Sequence, residues 1–374
     1  MTFSEFRALF PSAQQCIHLN HAGLSPIAIP VAEAAAEISQ SLMGDGDTLA
    51  AYIAHAGREK ALRAVMGRML GVGTEGIAFV RNTSHGLTIA AQALPLEPGA
   101  RVVCMRTDYP STLYPWQARG AQVTLADPDE DSLLAACDTV RPTVLCASWV
   151  HWGTGNVIDL KRVGQFCRER GILFVADIVQ GLGALVPDLS YVDIAAAGCH
   201  KWLLTPAGIG VLYIRPELLP TLLPTNVGWN WPERPMEWRE TGFQEPKATA
   251  ARFEEGSPSL YSTAAFLASV TLLESVGFQA IQERVISLGR FAHQKLSERG
   301  MKLACSDAAL LNSGIVGFQH PQIANTDIET ILTENKVRVA VRAGWVRFSP
   351  HGYSTEDEIE RAVAALPGTS GPSI

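Results

Sequence analysis

The middle of the chain alternates short apolar runs with helical stretches, and this alternation restricts the possible folds. Residues 143–150 and 172–176 are almost continuously apolar, and residues 160–171 between them carry their charges on one helical face. A strand that is apolar along its whole length is buried on both faces, which is typical of a parallel sheet covered by helices. The sequence therefore predicts an α/β fold with a mainly parallel sheet. We predict further strands at 76–80, 101–105, 121–125 and 211–214, and a helix at 84–94.

The pattern changes after about residue 263. Two helical stretches, two or three short strands and a final helix at 355–366 predict a smaller α+β domain over residues 264–374. Thr355 is the expected N-cap of that last helix. The chain has 374 residues, of which 47% are hydrophobic, enough for a large and a small domain. We therefore expect a large α/β domain at 31–263, and an N-terminal segment, 1–30, that packs near the cleft or against the smaller domain.

Composition excludes several classes of partner. The net charge of −7 and the lack of a basic cluster argue against nucleic acid. The first residues lack the basic start and apolar core of a signal peptide, and the apolar stretch at 264–276 is too short to span a membrane. The seven cysteines are scattered, without metal-type spacing, which fits a reducing cytoplasm. We therefore predict a cytoplasmic protein with no metal site and no membrane contact.

Lys201 and Asp177 carry the strongest chemical signal. Lys201 follows an apolar run, and a lysine amine among apolar neighbours can lose its proton and attack a carbonyl. Asp177 ends the strand-like run at 172–176, where a carboxylate can hold a positive charge on a ring nitrogen. Gln180 follows within reach of the same ring's phenolic oxygen. Together they predict a pyridoxal phosphate (PLP) enzyme with the cofactor bound as a Schiff base to Lys201. The alternative interpretation of Asp177 is a helix N-cap.

Polar residues after the other strands complete a candidate site. Thr83 and Ser84 lie between a strand and a helix, where free N–H groups and hydroxyls can bind a phosphate, although both are also common N-caps. Tyr109 can stack on a flat heterocycle or simply cap the sheet. His151, at another strand end beside Trp152, is either a catalyst or a satisfied structural histidine.

Two arginines lie in an apolar stretch near the C-terminus. Arg342 and Arg347 flank Ala343, Gly344, Trp345 and Val346. Because arginine binds carboxylates through two parallel hydrogen bonds, either one can hold the α-carboxylate of an amino acid. The alternative is a pair of structural ion pairs with the acidic last helix.

These residues resemble the class V aminotransferase family of fold type I PLP enzymes, which includes cysteine desulfurases, selenocysteine lyases, isopenicillin N epimerase-like proteins and kynureninase. The resemblance runs from residues 19–26 to residues 353–359. Its most specific part is Asp177-x-x-Gln180, followed by His200-Lys201 with the lysine 24 residues after the aspartate.

The resemblance implies a large domain with a seven-stranded, mainly parallel sheet, a smaller C-terminal domain and a homodimer with shared active sites. It also implies roles for individual residues. Lys201 would form the Schiff base, and Asp177 and Gln180 would bind the cofactor ring at the pyridine nitrogen and the phenolic oxygen. The remaining roles would be phosphate binding by Thr83, Ser84 and His200, ring stacking by Tyr109, a contact from Ser257 to the neighbouring subunit's phosphate, and substrate binding by Arg347, Arg342, His151, Asn20 and His21.

The chain departs from the family pattern at three places. No cysteine lies between Arg342 and Arg347, so a group II cysteine desulfurase is not expected. His151 or Trp152 stands where the family has an Asn near the cofactor, and Gly198 stands where a Ser or Thr is common. We therefore expect a lyase, for instance one that cleaves a C–S bond by β-elimination, or an aminotransferase, acting at Cα or Cβ of a small amino acid. The alternatives are an isopenicillin N epimerase-like racemase or epimerase, a PLP-binding protein without turnover, and a non-catalytic α/β binding protein.

Overall fold

The structure is a computed structural model that describes residues 1–44, 46–223, 225–235, 237 and 244–369. Its helices are α1 Phe3–Ala8, α2 Ile29–Gly44, α3 Thr48–Leu70, α4 Thr83–Ala93, α5 Tyr114–Ala118, α6 Glu130–Val140, α7 Leu160–Glu169, α8 Leu260–Val276, α9 Phe278–Glu298, α10 Asn325–Glu334 and α11 Glu356–Ala364. Its strands are β1 Ile17–His18, β2 Ile77–Val80, β3 Arg101–Met105, β4 Gln122–Ala126, β5 Val144–Ser148, β6 Leu173–Asp177, β7 Ile194–Gly198, β8 Gly210–Ile214, β9 Lys302–Leu303, β10 Val316–Gln319, β11 Val337–Arg338, β12 Ala340–Arg342 and β13 Trp345–Phe348.

A seven-stranded sheet with the order β2-β8-β7-β6-β5-β3-β4 forms the centre of the protein. Only β8 runs against its neighbours, and the other pairs are parallel. Every residue of β5 and β7 is buried, as expected for strands that are apolar on both faces. The predicted α/β fold with a mainly parallel sheet is confirmed. The apolar run before Lys201, which the sequence analysis did not assign, is β7.

The carboxyl ends of the central strands meet at one edge of this sheet. Ser148, Asp177 and Gly198 end β5, β6 and β7, which are neighbours in the sheet. Helix α4 packs tightly against the same region, because a Cβ atom at Gly86 would lie 2.8 Å from Cβ of Ala196. Ligands of open α/β sheets bind at such an edge.

A second, antiparallel sheet with the order β12-β13-β10-β9 lies in the C-terminal part, with α9, α10 and α11 contributing to its core. Thr355 caps α11 as predicted, since its hydroxyl accepts the N–H of Glu358 and its own N–H donates to the Glu358 carboxylate. The domain boundary after residue 263 stays a prediction, because α8 spans it and packs on α2 and α3. Among the described residues no single helix is long and apolar enough to cross a membrane; only α8 and α9 taken together, bent by 79°, reach that length and composition.

The N-terminal segment connects the C-terminal part of the chain to the loop that carries Lys201. Strand β1 pairs in parallel with β11, and Asn20 forms a bridge to Ser349. The backbone N–H of Ser25 donates to the carbonyl of His200 at 3.0 Å, and its hydroxyl donates to the carbonyl of Lys201 at 2.6 Å. The segment therefore contacts both parts of the protein at the sheet edge where the strands end.

Candidate active site

Lys201 lies in the turn that follows β7. Its ammonium nitrogen, Nζ, is 5.8 Å from the ring centroid of Tyr109. Burial lowers the pKa of Lys201 to about 8, an effect that Asp177 opposes and that Arg347 and Arg342 reinforce. The amine is therefore neutral in about a tenth of molecules at pH 7, far more often than an ordinary lysine, and the neutral form is the nucleophile.

Asp177 lies at the end of the neighbouring strand β6 and is 2% exposed. One carboxylate oxygen accepts the backbone N–H of Val179 at 2.9 Å, as in an Asx turn, and no helix begins there. Burial raises the pKa of Asp177 to about 7; the Val179 hydrogen bond and Lys201 lower it, and the charge of Asp108 raises it. No described cationic side chain lies within 4 Å of the Asp177 carboxylate, the limit for an ion pair. A buried carboxylate of this kind gains stability from a cationic partner.

Helix α4 offers free backbone donors at its first turn. Asn82, and not Thr83 or Ser84, is the N-cap, because its side-chain oxygen accepts the N–H of His85 at 2.9 Å. The N–H groups of Thr83 and Ser84 have no partner in the described part of the chain. This helix end can therefore hold an anion.

The side chains around that helix end tie it to the Lys201 turn. The hydroxyl of Thr83 accepts the N–H of Gly198 at 2.8 Å, and a Cβ atom at Gly198 would lie 3.1 Å from His200 Nδ1. Burial and Lys201 lower the pKa of His200, so its ring is neutral and can still donate one N–H. Ser84 bonds the hydroxyl of Ser111 at 2.7 Å. The structure thus brings Thr83, His200 and Lys201 together.

A cavity of about 880 Å³ lies beside this group. Tyr109 meets Trp152 edge to face in its wall, with 5.6 Å between the ring centroids. Lys201 itself does not line the cavity, but its Nζ faces the ring of Tyr109, which does. The lining residues are Ser84, Thr107, Asp108, Tyr109, Pro110, Ser111, Pro128, His151, Trp152, Thr154, Ala343 and Trp345.

His151 also lines this cavity, but both of its ring nitrogens are engaged. Nε2 lies 3.1 Å from the carbonyl of Thr107, which can only accept, so Nε2 carries the hydrogen. Nδ1 lies 2.9 Å from the hydroxyl of Thr154, which donates to it. Burial lowers the pKa of His151, in agreement with a neutral ring. These contacts favour the interpretation of His151 as a satisfied structural histidine.

Arg347, on β13, is 1% exposed and lacks an ionic partner in the described part of the chain. Nη1 donates to the carbonyl of Trp152 at 2.5 Å, Nη2 donates to the side-chain oxygen of Asn20 at 3.4 Å, and Nε has no partner. Burial, together with Arg342, lowers the pKa of Arg347 to about 9. A buried guanidinium without a carboxylate indicates that an anionic ligand completes the site.

The alternative of ion pairs with the last helix is not observed for either arginine. Arg342 is exposed, and its guanidinium donates to the carbonyl of Val341. The acidic residues of α11 have other partners, namely Glu356 with Arg284, Asp357 with Arg361, Glu358 with Arg7 and Glu360 with Lys295.

Two predicted residues lie outside the group around Lys201. His21 is fully buried, where Nδ1 donates to the carbonyl of Ser349 at 2.9 Å and Nε2 accepts from the Tyr353 hydroxyl at 2.8 Å. Ser257 is exposed and lines a second cavity of about 700 Å³, together with Arg81 and His85 near the start of α4. A role for Ser257 in a neighbouring subunit stays a prediction.

Asp108 is a residue to which the sequence analysis gave no role. Its carboxylate accepts the N–H of Ser148 at 2.9 Å and the hydroxyl of Ser148 at 2.6 Å. It thereby places a second negative charge near Asp177 and contributes to the raised pKa there. The signal for Asp108 in the sequence is its position, as a polar residue shortly after strand β3.

The chain matches known proteins over nearly its whole length. Residues 17–361 match the aminotransferase class-V family. The uncharacterized aminotransferase YcbU of Bacillus subtilis is 29% identical over 367 residues, with 96% of both chains covered. Isopenicillin N epimerase of Streptomyces clavuligerus is 28% identical, with 83% of this chain and 84% of that one covered. Cysteine desulfurase CsdA of Escherichia coli is also 28% identical, with 91% and 87% covered.

Solved structures share the fold. The apo cysteine desulfurase of Thermococcus onnurineus NA1 superposes with a TM-score of 0.86 at 22% identity, with 96% of both chains covered. A C-DES variant with glycine covalently linked to its PLP cofactor also gives 0.86, at 23% identity, with 96% of this chain and 98% of that one covered. The fold is therefore that of fold type I PLP-dependent enzymes. The chain belongs to the aminotransferase class-V family, and it is a PLP-dependent enzyme.

The residues at the sheet edge fit this cofactor. PLP presents an aldehyde, a ring nitrogen that can carry a proton, and a phosphate. The structure offers an amine with a lowered pKa at Lys201, an unpaired buried carboxylate at Asp177 and free N–H groups at the start of α4. Each is a group that the corresponding part of PLP would satisfy.

The lowered pKa of Lys201 predicts its reactivity in the apoprotein. Acylation of Lys201, followed by peptide mass spectrometry across pH, should show a midpoint near 8, against about 10.4 for an ordinary lysine. In an Asp177→Asn variant the midpoint should fall further, because the carboxylate favours the charged ammonium. An Asp127→Asn variant, which changes an exposed carboxylate paired with Arg106, is the control. A midpoint near 10 in the parent protein would contradict the burial argument.

Proposed function

We propose that this enzyme acts at Cα or Cβ of a small amino acid, as a lyase that eliminates a β-substituent, for instance by C–S cleavage, or as an aminotransferase. The observation that carries the proposal is the buried, unpaired guanidinium of Arg347. A free amino acid brings the α-carboxylate that such a guanidinium binds. Cysteine desulfurases, an isopenicillin N epimerase and an uncharacterized aminotransferase among the relatives all support an amino acid as substrate.

The proposed roles follow from the contacts around each residue. PLP, when bound, draws electron density away from the Cα of an amino acid attached to it. Asp177 keeps the ring nitrogen positively charged, and Thr83, Ser84 and His200 hold the phosphate. Lys201 would hold the cofactor, and its amine, with a pKa of about 8, would suit a general base that takes the proton from the substrate's Cα.

Other residues hold the cofactor ring and the substrate. Tyr109 supplies an aromatic face near Lys201, and Gln180 supplies an amide for the phenolic oxygen. Arg347 binds the substrate carboxylate. Asn20 orients Arg347, and Arg342 adds positive charge nearby, as its effect on the pKa of Arg347 indicates.

The turn between β12 and β13 argues against a group II cysteine desulfurase. Ala343 and Gly344 form this turn with φ angles of 50° and 81°, and Ala343 lines the cavity beside Tyr109. An alanine there has no nucleophile that could accept sulfur from a substrate. If the enzyme cleaves a C–S bond, the sulfur product is therefore released rather than held on this turn.

Two other readings of the site are less well supported. An isopenicillin N epimerase-like racemase or epimerase needs a second acid or base opposite Lys201, and His151, which lines the cavity, has both ring nitrogens engaged. A PLP-binding protein without turnover would leave the lowered pKa of Lys201 and the unpaired Arg347 without a purpose.

We also infer a cytoplasmic location from seven cysteines that are all free thiols.

Product analysis with a panel of amino acids separates these reactions. A lyase releases a keto acid such as pyruvate without any added keto acid, and sulfide when the β-substituent is a thiol. An aminotransferase converts its cofactor to the pyridoxamine form and needs a keto acid to recover. An epimerase changes only the optical rotation. No change in substrate or cofactor with any amino acid would contradict the proposal.

Arg347 should dominate substrate binding. Arg347→Gln should lower kcat/KM by roughly 30-fold to 4,000-fold, the equivalent of about 2–5 kcal/mol for a lost buried charge contact. The apoprotein should bind PLP nearly as well as before, because Arg347 contacts the substrate and not the cofactor. Arg338→Gln, which changes an exposed arginine on β11, is the matched control. Equal kcat/KM values for the two variants would show that Arg347 does not bind the substrate.

We also propose a homodimer in which Ser257 reaches the phosphate bound by the neighbouring subunit. Ser257→Asp places a negative charge near that phosphate, so the variant should bind PLP poorly, and Lys201→Ala should lack turnover. A mixture of the two, unfolded and refolded together, should regain activity, because one site of each mixed dimer combines Lys201 from one protomer with Ser257 from the other. Activity no higher than that of the Ser257→Asp variant alone would contradict shared sites.

A further inference from the structure

Trp202, the residue after Lys201, is fully buried and has a single side-chain hydrogen bond. Its indole Nε1–H donates to the side-chain oxygen of Gln180 at 3.1 Å. Its backbone carbonyl accepts Nε2–H of His351 at 3.0 Å. The ring packs against His21, with 6.1 Å between the centroids. The contacts therefore connect the Lys201 turn directly to the side chain of Gln180.

The amide of Gln180 is held between two groups that each have only one hydrogen-bonding role. The indole of Trp202 can only donate, and the carbonyl of Ala22, 3.1 Å from Gln180 Nε2, can only accept. The amide oxygen must therefore face Trp202, and the amide nitrogen must face Ala22. If the amide were turned over, its N–H groups would face the N–H of Trp202, and its oxygen would face the carbonyl oxygen of Ala22. Both contacts would be unfavourable, because Gln180 is only 4% exposed and water cannot replace the lost partners.

This arrangement leaves one N–H of Gln180 for a ligand. Nε2 carries two hydrogens, and in the described part of the chain Ala22 accepts the only hydrogen bond that they donate. What remains is a donor fixed in direction, which suits a hydrogen-bond acceptor, and most of all an anionic oxygen.

We propose that Trp202 is a positioning residue that fixes the Gln180 amide so that its free N–H points to the phenolic oxygen of PLP. The inference rests on the proposed contact of Gln180 with that oxygen. A donor fixed there would withdraw electron density from the phenolic oxygen. It would thereby lower the pKa of the Schiff-base nitrogen between PLP and Lys201. Trp202 thereby tunes the cofactor without touching it.

The test compares Trp202→Phe, Gln180→Leu and the double variant in the PLP-loaded protein. The measurements are the pH midpoint of the visible absorption band and the dissociation constant of PLP. Each single variant should raise the midpoint and weaken PLP binding by about threefold to tenfold, the worth of one hydrogen bond. In the Gln180→Leu background, Trp202→Phe should add little, because its partner is already gone.

Trp116→Phe is the matched control. Trp116 is also fully buried, but it packs in a different hydrophobic cluster from Trp202 and makes no hydrogen bond to a residue of the site. It should leave the midpoint unchanged even if it lowers stability. Equal, additive effects of Trp202→Phe in both backgrounds would show a merely structural role and overturn the inference.

The outcomes separate this inference from the proposed site. If Gln180→Leu changes neither midpoint nor affinity, the role of Gln180 itself is wrong; if only Trp202→Phe is without effect, Trp202 does not position it. Should Trp202→Phe fail to fold, indole 1H–15N spectra of the apoprotein give the answer. Gln180→Leu should then move one indole signal among the eight tryptophans, and an unchanged spectrum would contradict the hydrogen bond.

Discussion

The site depends on two opposite charges, Lys201 and Asp177, that are buried near each other without forming an ion pair. Burial disfavours the charged form of each, so the pKa of the lysine falls to about 8 and that of the aspartate rises to about 7. A direct salt bridge would have kept both charged and the amine unreactive. Asp177 ends β6 and is restrained by the N–H of Val179, whereas Lys201 lies in the turn after β7. PLP carries the complementary groups, a carbonyl that an amine can attack and a ring nitrogen whose positive charge a carboxylate can hold.

The N-terminal segment holds the surrounding residues in place. Asn20 contacts Arg347, Ala22 contacts Gln180, and Ser25 binds the backbone of His200 and Lys201. These contacts link Arg347, Gln180 and the Lys201 turn through six consecutive residues, 20–25. The same segment also pairs with the C-terminal part of the chain, because β1 and β11 form a separate two-stranded parallel sheet.

The fold could be predicted well where a pattern is local. The strands β3, β5 and β6 and the cap at Thr355 were predictable because apolar continuity and capping act over a few residues. Helix α3 was not predicted, because its apolar and charged residues are spread around the helix and leave no one-sided pattern. Its packing against α8, about 200 residues later in the sequence, is what orders it.

The site was predictable in its residue types but not in its contacts. The sequence indicates that Lys201, Asp177 and Thr83 follow strands or precede helices, and the structure places them at one edge of the sheet. Their roles toward the cofactor stay predictions. The contacts of His151 with Thr107, of His21 with Tyr353 and of Trp202 with Gln180 join residues distant in sequence. A periodic pattern along the chain carries no information about such contacts.

We propose that the amine of Lys201 holds PLP while Asp177 holds its ring nitrogen. Borohydride reduction of the PLP-loaded protein, followed by peptide mapping, tests this pairing most directly. The visible band should disappear, and a phosphopyridoxyl group should be found on Lys201 alone. In Asp177→Asn the label should remain on Lys201, while PLP dissociates more readily. Label on another lysine, or none despite bound PLP, would show that Lys201 does not hold the cofactor.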